Sequence, residues 1–313
     1  MAQKSSYFAS AEYAKESNDI LFNKGKTFYW AKFFLSKNAA LQATRLYRFC
    51  RYIDDLADEA KDKNQAVAYL NNIKAELKSG ESNDAVIKDA IALFDECDIP
   101  ILIPTELING VLADLDWVRI QTEAQLLEYC YQVAGTVGIM MCKVLNVSCP
   151  NALYHAIDLG IGMQLTNICR DVYADALMDR VYLPASITGP TSPEDIIKLD
   201  DLNRTKLIQA ITLLLKMADC YYASGYSGLV KLPIRSRISI LIAAKLYQQI
   251  GFKIQRTQFK NFKDKVFIPF EMKLLISINV CFKALIDPKF WAYRSHHRKT
   301  LHQLIAQLPF CHA

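Results

Sequence analysis

The chain has no apolar run long enough to cross a bilayer and no cysteine pattern typical of a secreted or zinc-binding protein. Its 313 residues include nine scattered cysteines without a Cys-x-x-Cys pair, which excludes a disulfide framework and fits a reducing cytosol. A membrane-spanning helix needs about 20 apolar residues, and the longest candidates, residues 207–217 and 274–282, are shorter. The first residues lack the apolar run of a secretory signal, so we expect no cleaved leader and a cytoplasmic location.

The short motifs of several common enzyme classes are also missing. The chain contains no GxGxxG after a strand-like run, no GxxxxGK[ST], no HExxH and no GxSxG. We therefore expect no nucleotide cofactor, zinc-protease site or serine-hydrolase site. All the histidines lie far in sequence from the acidic clusters described below, which disfavours a His-centred triad or a His-rich metal site. They are His155, His296, His297, His302 and His312.

Positive charge is concentrated in the C-terminal third. The whole chain carries a formal net charge of +5, whereas residues 245–299 hold 12 Lys or Arg against 3 Asp or Glu, a difference of +9. Such a basic segment suits a polyanionic ligand or peripheral contact with an anionic membrane. A solvated basic face explains the same charges equally well. We expect no nucleic-acid partner.

Periodicity predicts helices along almost the whole chain. Apolar residues recur at three- and four-residue steps, and strand-like alternation with hairpin turns is missing. The expected fold class is all-α, with a single domain over residues 1–313 and a flexible start over about 1–15. The predicted helices cover residues 39–62, 64–79, 84–96, 104–117, 122–146, 151–177, 194–224, 232–258, 271–286 and 296–308.

Two glycines, Gly135 and Gly138, fall inside one of these predicted helices. A glycine in a helix interior costs about 1 kcal/mol relative to alanine, so two within one turn require a reason. One reason is close packing of helices or a kink. The other is that the missing side chains leave room for a ligand beside the helix.

The aspartates are the most informative feature of the sequence. Four pairs among the 21 aspartates are spaced four residues apart, and all four belong to two triples. These are Asp54, Asp58 and Asp62, and Asp171, Asp175 and Asp179. Residues four apart share a helix face, where like charges destabilise the helix by about 0.2–0.5 kcal/mol per pair. The triples therefore indicate a compensating cation, although the outermost Asp62 and Asp179 are also explained as solvated residues.

Further polar side chains continue the face of each triple. Asn167 and Gln164 lie four and seven residues before Asp171 in a helix otherwise rich in Leu and Ile, and Arg51 lies one turn before Asp54. Buried carboxylates need cations, and oxygen ligands of this kind suit Mg²⁺ that also contacts substrate phosphate oxygens. Divalent ions would let a diphosphate approach carboxylates that otherwise repel it by about 3 kcal/mol per charge pair at ~5 Å.

Four segments of the sequence resemble the squalene/phytoene synthase family, which joins isoprenoid diphosphates head to head. Residues 25–29, GKTFY, are similar to the family's G-S-K-S-F-Y segment. Residues 129–138, YCYQVAGTVG, resemble its Y-x-x-x-V-A-G-x-V-G helix. Its two Asp-rich signatures are resembled by residues 46–59, LYRFCRYIDDLADE, and by residues 164–175, QLTNICRDVYAD, followed by RVYLP at 180–184.

The resemblance implies an all-α isoprenoid-synthase bundle around a central apolar cavity, with Mg²⁺, or alternatively Mn²⁺, as the cofactor. The implied metal ligands are Asp54, Asp55, Asp58, Asn167, Asp171 and Asp175. The implied catalytic residues are Asp54, Asp58, Asp171, Asp175, Arg51 and Tyr47. The implied substrate-binding residues are Lys26, Arg51, Asn167, Arg170, Tyr247, Lys265 and Lys273 near the diphosphates, and Val133, Val137, Gly138, Gln164 and Leu165 along the isoprenoid. The family usually has arginine where this chain has Lys265.

The implied activity is condensation of two geranylgeranyl diphosphates to phytoene through a cyclopropylcarbinyl diphosphate, in carotenoid biosynthesis. The nearest alternative is a squalene or dehydrosqualene synthase that uses farnesyl diphosphate. A non-catalytic binding or assembly protein on the same fold is a further alternative, disfavoured by the retained aspartates. Without the resemblance, a Mg²⁺-dependent phosphoesterase fits the same residues. The expected partners are isoprenoid diphosphates, other carotenoid-pathway enzymes and a membrane surface, because the product is insoluble in water.

Overall fold

The computed structural model describes residues 16–147, 149–257, 263, 265–292 and 297–312. It is 78% helical, and its described residues contain no strand, only an isolated bridge between Arg119 and Val181. After a helical stretch at 16–24, the α-helices are α1 (Lys26–Ala31), α2 (Lys37–Asp58), α3 (Lys63–Ser79), α4 (Ala85–Glu96), α5 (Leu102–Ala113), α6 (Glu123–Cys130), α7 (Thr136–Val144), α8 (Pro150–Leu177), α9 (Ala185–Thr188), α10 (Pro193–Lys198), α11 (Asp201–Gly228), α12 (Ile234–Arg256), α13 (Phe270–Ile286) and α14 (Pro288–Trp291). The all-α prediction is confirmed.

Shorter helical turns connect some of these elements. The 3₁₀ segments are Lys32–Phe34, Leu229–Lys231 and Lys299–Ile305, and a π-helical turn, Tyr131–Gly135, joins α6 to α7. The sequence predicts one uninterrupted helix over 122–146. The extra residue of a π-turn shifts the register of the helix faces, and such turns are frequent at functional sites.

Helix α8 occupies the middle of the bundle. Pro150 stands in its first turn, where a missing backbone N–H costs nothing. The helix packs against α7, α11 and α12, and its buried residues include Ile157, Ile161 and Leu165. A single hydrophobic cluster extends from Leu46 on α2 to residues near the C-terminus. This core fixes α2 and α8, the two helices that carry the aspartate triples.

Several helix ends differ from the prediction because side chains cap the backbone. The helix predicted over 39–62 ends at Asp58, and Asp62 instead accepts a hydrogen bond from the backbone N–H of Asn64 as the N-cap of α3. The helix predicted over 194–224 is two helices, because Leu199 adopts a left-handed conformation (φ 48°) and Asp200 caps α11. The segment predicted as helix 104–117 ends at Ala113.

The last predicted helix, 296–308, is a 3₁₀ segment over Lys299–Ile305. Two expectations fall outside the described residues: the flexible start over 1–15 and the end of a helix at 258. The other predicted helix bounds agree with the structure to within about four residues, whereas α1, α9 and α14 were not predicted.

Glycines in and around the YCYQVAGTVG segment, residues 129–138, allow close packing against helix α8. A Cβ on Gly138 would lie 2.3 Å from the carbonyl oxygen of Ala156, and a Cβ on Gly160 would lie 2.3 Å from that of Ala134. A Cβ on Gly135 would touch the ring of Tyr131 at 3.1 Å. The space that a Cβ on Gly138 would occupy is therefore filled by backbone, so close packing accounts for this glycine, and its role in lining the isoprenoid cavity stays a prediction.

Candidate active site

A cavity of about 230 Å³ lies between the two helices that carry the aspartate triples. Helix α2 contributes Asp54 and Asp58, and helix α8 contributes Asp171 and Asp175. The full lining is Arg51, Asp54, Ala57, Asp58, Val111, Asp114, Tyr129, Val133, Gln164, Asn167, Ile168, Asp171, Asp175, Arg180 and Tyr182. Two segments more than 100 residues apart thus meet at one opening.

Helical periodicity places these acids side by side. On α2, Ile53 is fully buried in the core, and the neighbouring Asp54 lines the cavity. On α8, Val172 is buried while Asp171 and Asp175, one turn apart, face the opening. The amphipathic pattern that buries one face of each helix therefore aligns the carboxylates on the other.

Burial raises the pKa of three carboxyl groups in the cavity. Desolvation is the main cause for Asp54, whose pKa rises to about 7, with Arg51 opposing the shift. Desolvation followed by repulsion from Asp171 raises the pKa of Asp175 to about 8. Desolvation likewise raises the pKa of Asp114 to about 6, against hydrogen bonding from Tyr182. Asp175, and in part Asp54, therefore retain protons near neutral pH unless a cation is present.

The other acids of the cavity are paired with basic side chains. Arg51 forms an ion pair with Asp55, and Arg180 lies 2.8 Å from Asp58. Asp171 accepts a 2.9 Å hydrogen bond from Nε of Arg170 and lies 3.2 Å from Nζ of Lys265. Among the described residues, Asp54 and Asp175 have no basic nitrogen within 4 Å.

The side-chain oxygens of the cavity fit a divalent metal ion. Asn167 donates a 3.2 Å hydrogen bond to Gln164, but its own Oδ1 is buried and has no hydrogen-bond partner. A buried oxygen without a partner, among the carboxylates that line the same cavity, completes a donor set that a hard cation would satisfy. The arrangement can therefore hold divalent ions between α2 and α8.

Four polar residues of the site were not predicted from the sequence: Arg180, which pairs with Asp58, and Asp114, Tyr129 and Tyr182. Asp114 accepts hydrogen bonds from Tyr129 at 3.0 Å and Tyr182 at 2.6 Å, and the two tyrosine rings stack at 4.7 Å. Tyr129 opens the YCYQVAGTVG segment, and Tyr182 lies in RVYLP, so both had a motif to mark them. Asp114 had only a weak one, a Gly-x-x-x-Asp-Leu pattern with one family residue replaced.

The predicted residues Tyr47, Tyr247 and Arg170 lie beside the cavity without lining it. Phe28 packs between Tyr47 and Tyr247, with ring centroids 6.1 and 5.4 Å away. Tyr247 also accepts a hydrogen bond from Arg170, and desolvation is the main cause of its raised pKa. These aromatic contacts place helix α1 beside the cavity wall.

The predicted lysines and apolar residues differ in where they lie relative to the cavity. Lys26 is exposed at the start of α1. Nζ of Lys273 lies 3.4 Å from the backbone carbonyl oxygen of Lys26. Val133 lines the cavity, whereas Val137 and the buried Leu165 do not.

Three histidines meet near Asp158 on α8, away from the cavity; that they form no His-rich metal site stays a prediction. Buried Asp158 lies 2.9 Å from Nε2 of His297 and 2.9 Å from Nε2 of His302, and it accepts a hydrogen bond from Ser224, which contacts His155 at 3.1 Å. The cluster attaches the C-terminal 3₁₀ segment to α8 and contributes no residue to the cavity lining. Separations of 139 and 144 residues hid it from sequence reasoning.

Comparison with known proteins covers most of the chain. A family model described as squalene/phytoene synthase matches residues 21–271, which include both aspartate clusters. A 15-cis-phytoene synthase from Paracoccus sp. is 33% identical over 240 residues, which cover 71% of this chain and 75% of the relative. A phytoene synthase from Thermus thermophilus is 34% identical over 255 residues, 77% of this chain and 83% of the relative.

Solved structures with the same architecture include two related enzymes. A dehydrosqualene synthase in complex with ligand matches with a TM-score of 0.77 and 25% identity, covering 88% of this chain and 98% of that one. A squalene synthase from Alicyclobacillus acidocaldarius matches with a TM-score of 0.69 and 19% identity over 80% of this chain and 94% of its own. The second likeness concerns the fold alone.

Proposed function

The chain belongs to the squalene/phytoene synthase family, and on that basis we propose that it joins two geranylgeranyl diphosphates into phytoene. It is a prenyltransferase of carotenoid biosynthesis, as the names of its curated relatives indicate. The observation that carries the proposal is the convergence of Asp54 and Asp58 with Asp171 and Asp175 on one cavity. Four carboxylates around one opening suit a reaction in which a diphosphate leaves.

Members of the family use divalent metal ions in catalysis, and we propose Mg²⁺ for this chain, with Mn²⁺ as the alternative. Asp54, Asp58, Asp171 and Asp175 would hold the ions, and the unpartnered oxygen of Asn167 would complete the set. Asp55 would join them only if its ion pair with Arg51 opened. When bound, the metal neutralises the diphosphate and makes it a better leaving group.

Basic side chains at the rim would hold the outer diphosphate oxygens. Arg51 and Arg170 carry planar guanidinium groups suited to bidentate phosphate contacts, and both already neutralise acids beside the cavity. Lys265 reaches Asp171. Lys26, the first residue of α1, lies close to Lys273 on α13. These lysines would act as point charges for whichever diphosphate lies nearer α1 and α13.

The reaction proceeds in two ionisations. Loss of diphosphate from one substrate leaves an allylic cation, which the double bond of the second substrate attacks to form a cyclopropylcarbinyl diphosphate with loss of a proton. A second loss of diphosphate, skeletal rearrangement and a further proton loss give phytoene. The chain's role is to position both substrates and exclude water from the cations, with Val111, Val133 and Ile168 as the apolar part of the cavity lining.

The thirty-carbon alternative fits the comparisons less well. The solved structures that match are squalene or dehydrosqualene synthases, but the curated relatives near one-third identity carry phytoene synthase names. A non-catalytic protein on the same fold would have no use for Asp54 and Asp175, whose charged forms are disfavoured by burial and by other nearby aspartates unless a cation is present.

Product analysis tests the proposal. The purified protein is incubated with Mg²⁺ and either farnesyl or geranylgeranyl diphosphate, with and without NADPH, and the products are identified by mass spectrometry. Phytoene from geranylgeranyl diphosphate without NADPH is the expected result. Squalene formed only with farnesyl diphosphate and NADPH, or a free prenyl alcohol, would contradict it.

We also propose that the protein works at a membrane surface beside other enzymes of its pathway, since its product partitions into lipid. No helix of the described residues is both long and apolar enough to cross a membrane. We propose that this contact is peripheral.

A further inference from the structure

Helix α13 carries its large apolar side chains on the outside and small ones on the inside. Its buried residues are Ser277, Val280 and Ala284. Six large apolar residues on the same helix are between 57% and 75% exposed: Phe270, Leu275, Ile278, Phe282, Leu285 and Ile286. An ordinary surface helix shows the reverse distribution. We call this exposed surface the α13 face.

The α13 face extends beyond the helix on both sides. Phe267 precedes α13 and is 70% exposed, and Trp291 on α14 is 52% exposed. Isolated exposed apolar residues are normal in proteins, but a contiguous run of this size marks an interaction surface.

Basic side chains border the α13 face. Nζ of Lys253, on α12, lies 5.5 Å from the ring centroid of Phe267 and 3.2 Å from its carbonyl oxygen. Lys283 is exposed on α13 itself, which has Glu271 as its one acidic residue. Because residues 245–299 carry a charge difference of +9, an anionic partner is the complement of this surface.

The α13 face is continuous with helix α1 and so with the edge of the active site. Trp30 on α1 donates a 2.8 Å hydrogen bond to Ser277, and its ring meets that of Phe270 edge to face at 5.4 Å. Phe28, two residues earlier, packs against Tyr47 and Tyr247 beside the cavity. One short helix therefore separates the exposed apolar surface from the diphosphate-binding rim.

We propose that the α13 face docks onto the surface of an anionic phospholipid bilayer, with its aromatic and aliphatic side chains in the boundary between headgroups and acyl chains. This inference rests on the proposed function in that prenyl diphosphates and phytoene both reside in lipid. Interfacial helices combine an apolar face with lysines that contact anionic headgroups. A second copy of the chain fits less well, because two α13 faces would bring Lys253 and Lys283 against like charges.

Docking in this orientation gives the active site a route to lipid. The side chains of α1 and α13 would form the wall along which a prenyl tail passes between the bilayer and the cavity, while the diphosphate stays at the polar rim near Lys26 and Lys273. The hydrocarbon then avoids water on both entering and leaving.

Vesicle flotation tests the docking surface without substrate. Wild-type protein is mixed with vesicles of phosphatidylcholine alone or with phosphatidylglycerol and centrifuged through a density gradient. We expect wild type to float with the anionic vesicles, and L275Q/I278Q/F282Q to reduce the bound fraction by roughly tenfold or more. The matched control L41Q/L102Q/L202Q replaces similarly exposed residues on α2, α5 and α11 and should float like wild type.

A second variant keeps the result decisive if the first fails to fold, which circular dichroism reports. K253Q/K283Q leaves the apolar residues in place and should weaken binding by roughly fivefold per lysine, an effect that high salt removes. Wild type that remains unbound to anionic vesicles would overturn the proposal. So would apolar-face variants that float normally, or a wild-type dimer that L275Q/I278Q/F282Q converts to a monomer.

Flotation and product analysis test the docking surface and the proposed activity independently of each other. A protein that floats but forms no phytoene from detergent-dispersed substrate retains the docking surface and loses the proposed activity. A protein that forms phytoene in detergent but never floats retains the activity and loses the docking surface.

Discussion

Individual carboxylates of the cavity differ in how their charge is compensated. Asp55, Asp58 and Asp171 are each paired with a basic side chain. Asp54 and Asp175 are instead desolvated, and their pKa values rise to about 7 and about 8. The protein therefore keeps two acids in a state that only a proton or a metal ion stabilises, as expected of metal ligands.

The raised pKa values predict that the metal-free protein loses stability as pH increases. The folded state holds protons on Asp54 and Asp175 that the unfolded chain releases above pH ~4. The contribution of these two groups to the free energy of unfolding is therefore full below that pH and is lost as pH rises through about 7 to 8. At pH 8 without metal, D54N/D175N should melt roughly 5 °C or more above wild type. At pH 5 the two proteins should melt at similar temperatures, as scanning calorimetry would show.

Mg²⁺ competes with those protons and should therefore reverse the order of melting temperatures of wild type and D54N/D175N at pH 8. Added Mg²⁺ should raise the melting temperature of wild type more at pH 8 than at pH 5 and should leave D54N/D175N unchanged. D62N is the matched control, since Asp62 belongs to the same triple but caps α3, a role that asparagine also fills. Equal Mg²⁺ stabilisation of wild type and D54N/D175N would argue against metal binding at these acids.

Spacing alone was enough to select most acids of the site but not all of them. Two triples at four-residue steps identify Asp54 and Asp175 from the sequence, because a helix turns such spacing into one face. Asp114 has no partner at that spacing and enters the site only through tertiary packing against Tyr129 and Tyr182.

Among the secondary-structure elements, α8 packs closely against α7 and the π-helical turn before it at two glycines. Gly138 lies against the carbonyl of Ala156 on α8, and Gly160 lies against the carbonyl of Ala134 in the π-helical turn. The sequence showed that Gly135 and Gly138 needed a reason, and it left packing and ligand space both open. The deciding fact, that Ala156 lies opposite, depends on which helix packs there and is not encoded in local pattern.

Alanine substitution separates the two reasons for Gly138. G138A should lower the free energy of unfolding by about 2 kcal/mol, because the new Cβ meets backbone 2.3 Å away that cannot move aside. G251A is the matched control: its nearest neighbour is the flexible end of Leu215 at 3.1 Å, so we expect a change within about 1 kcal/mol. Urea denaturation measures both. A G138A protein of normal stability but poor activity would instead indicate a substrate-lining role.

Helix boundaries were predictable where a capping residue has one interpretation. Gly80 ends α3 in the left-handed conformation that glycine favours, and the sequence places a break there. Asp200 is equally good as an N-cap, yet its position inside an apolar periodic run hid the break at Leu199. Non-glycine residues with positive φ, such as Leu199, carry no such signal.

The whole molecule brings three properties together on neighbouring surfaces: an acid-lined cavity, a rim of basic side chains and the apolar α13 face. The sequence motifs fixed the family, and this prediction is confirmed. The excess of basic residues after 245 was visible in the sequence, but the α13 face was not, because helical periodicity does not reveal which apolar stripe faces the core. That the chain is a single domain over 1–313 stays a prediction.

We propose that metal ions bound by carboxylates from both α2 and α8 hold the departing diphosphate. Crystals grown with Mn²⁺ and an unreactive thio-analogue of geranylgeranyl diphosphate test it, because manganese is located by its anomalous scattering. We predict manganese peaks at coordination distance from Asp54 or Asp58 and from Asp171 or Asp175, with the diphosphate between them. Peaks on one helix alone, or only at the Asp158, His297 and His302 cluster, would contradict the account.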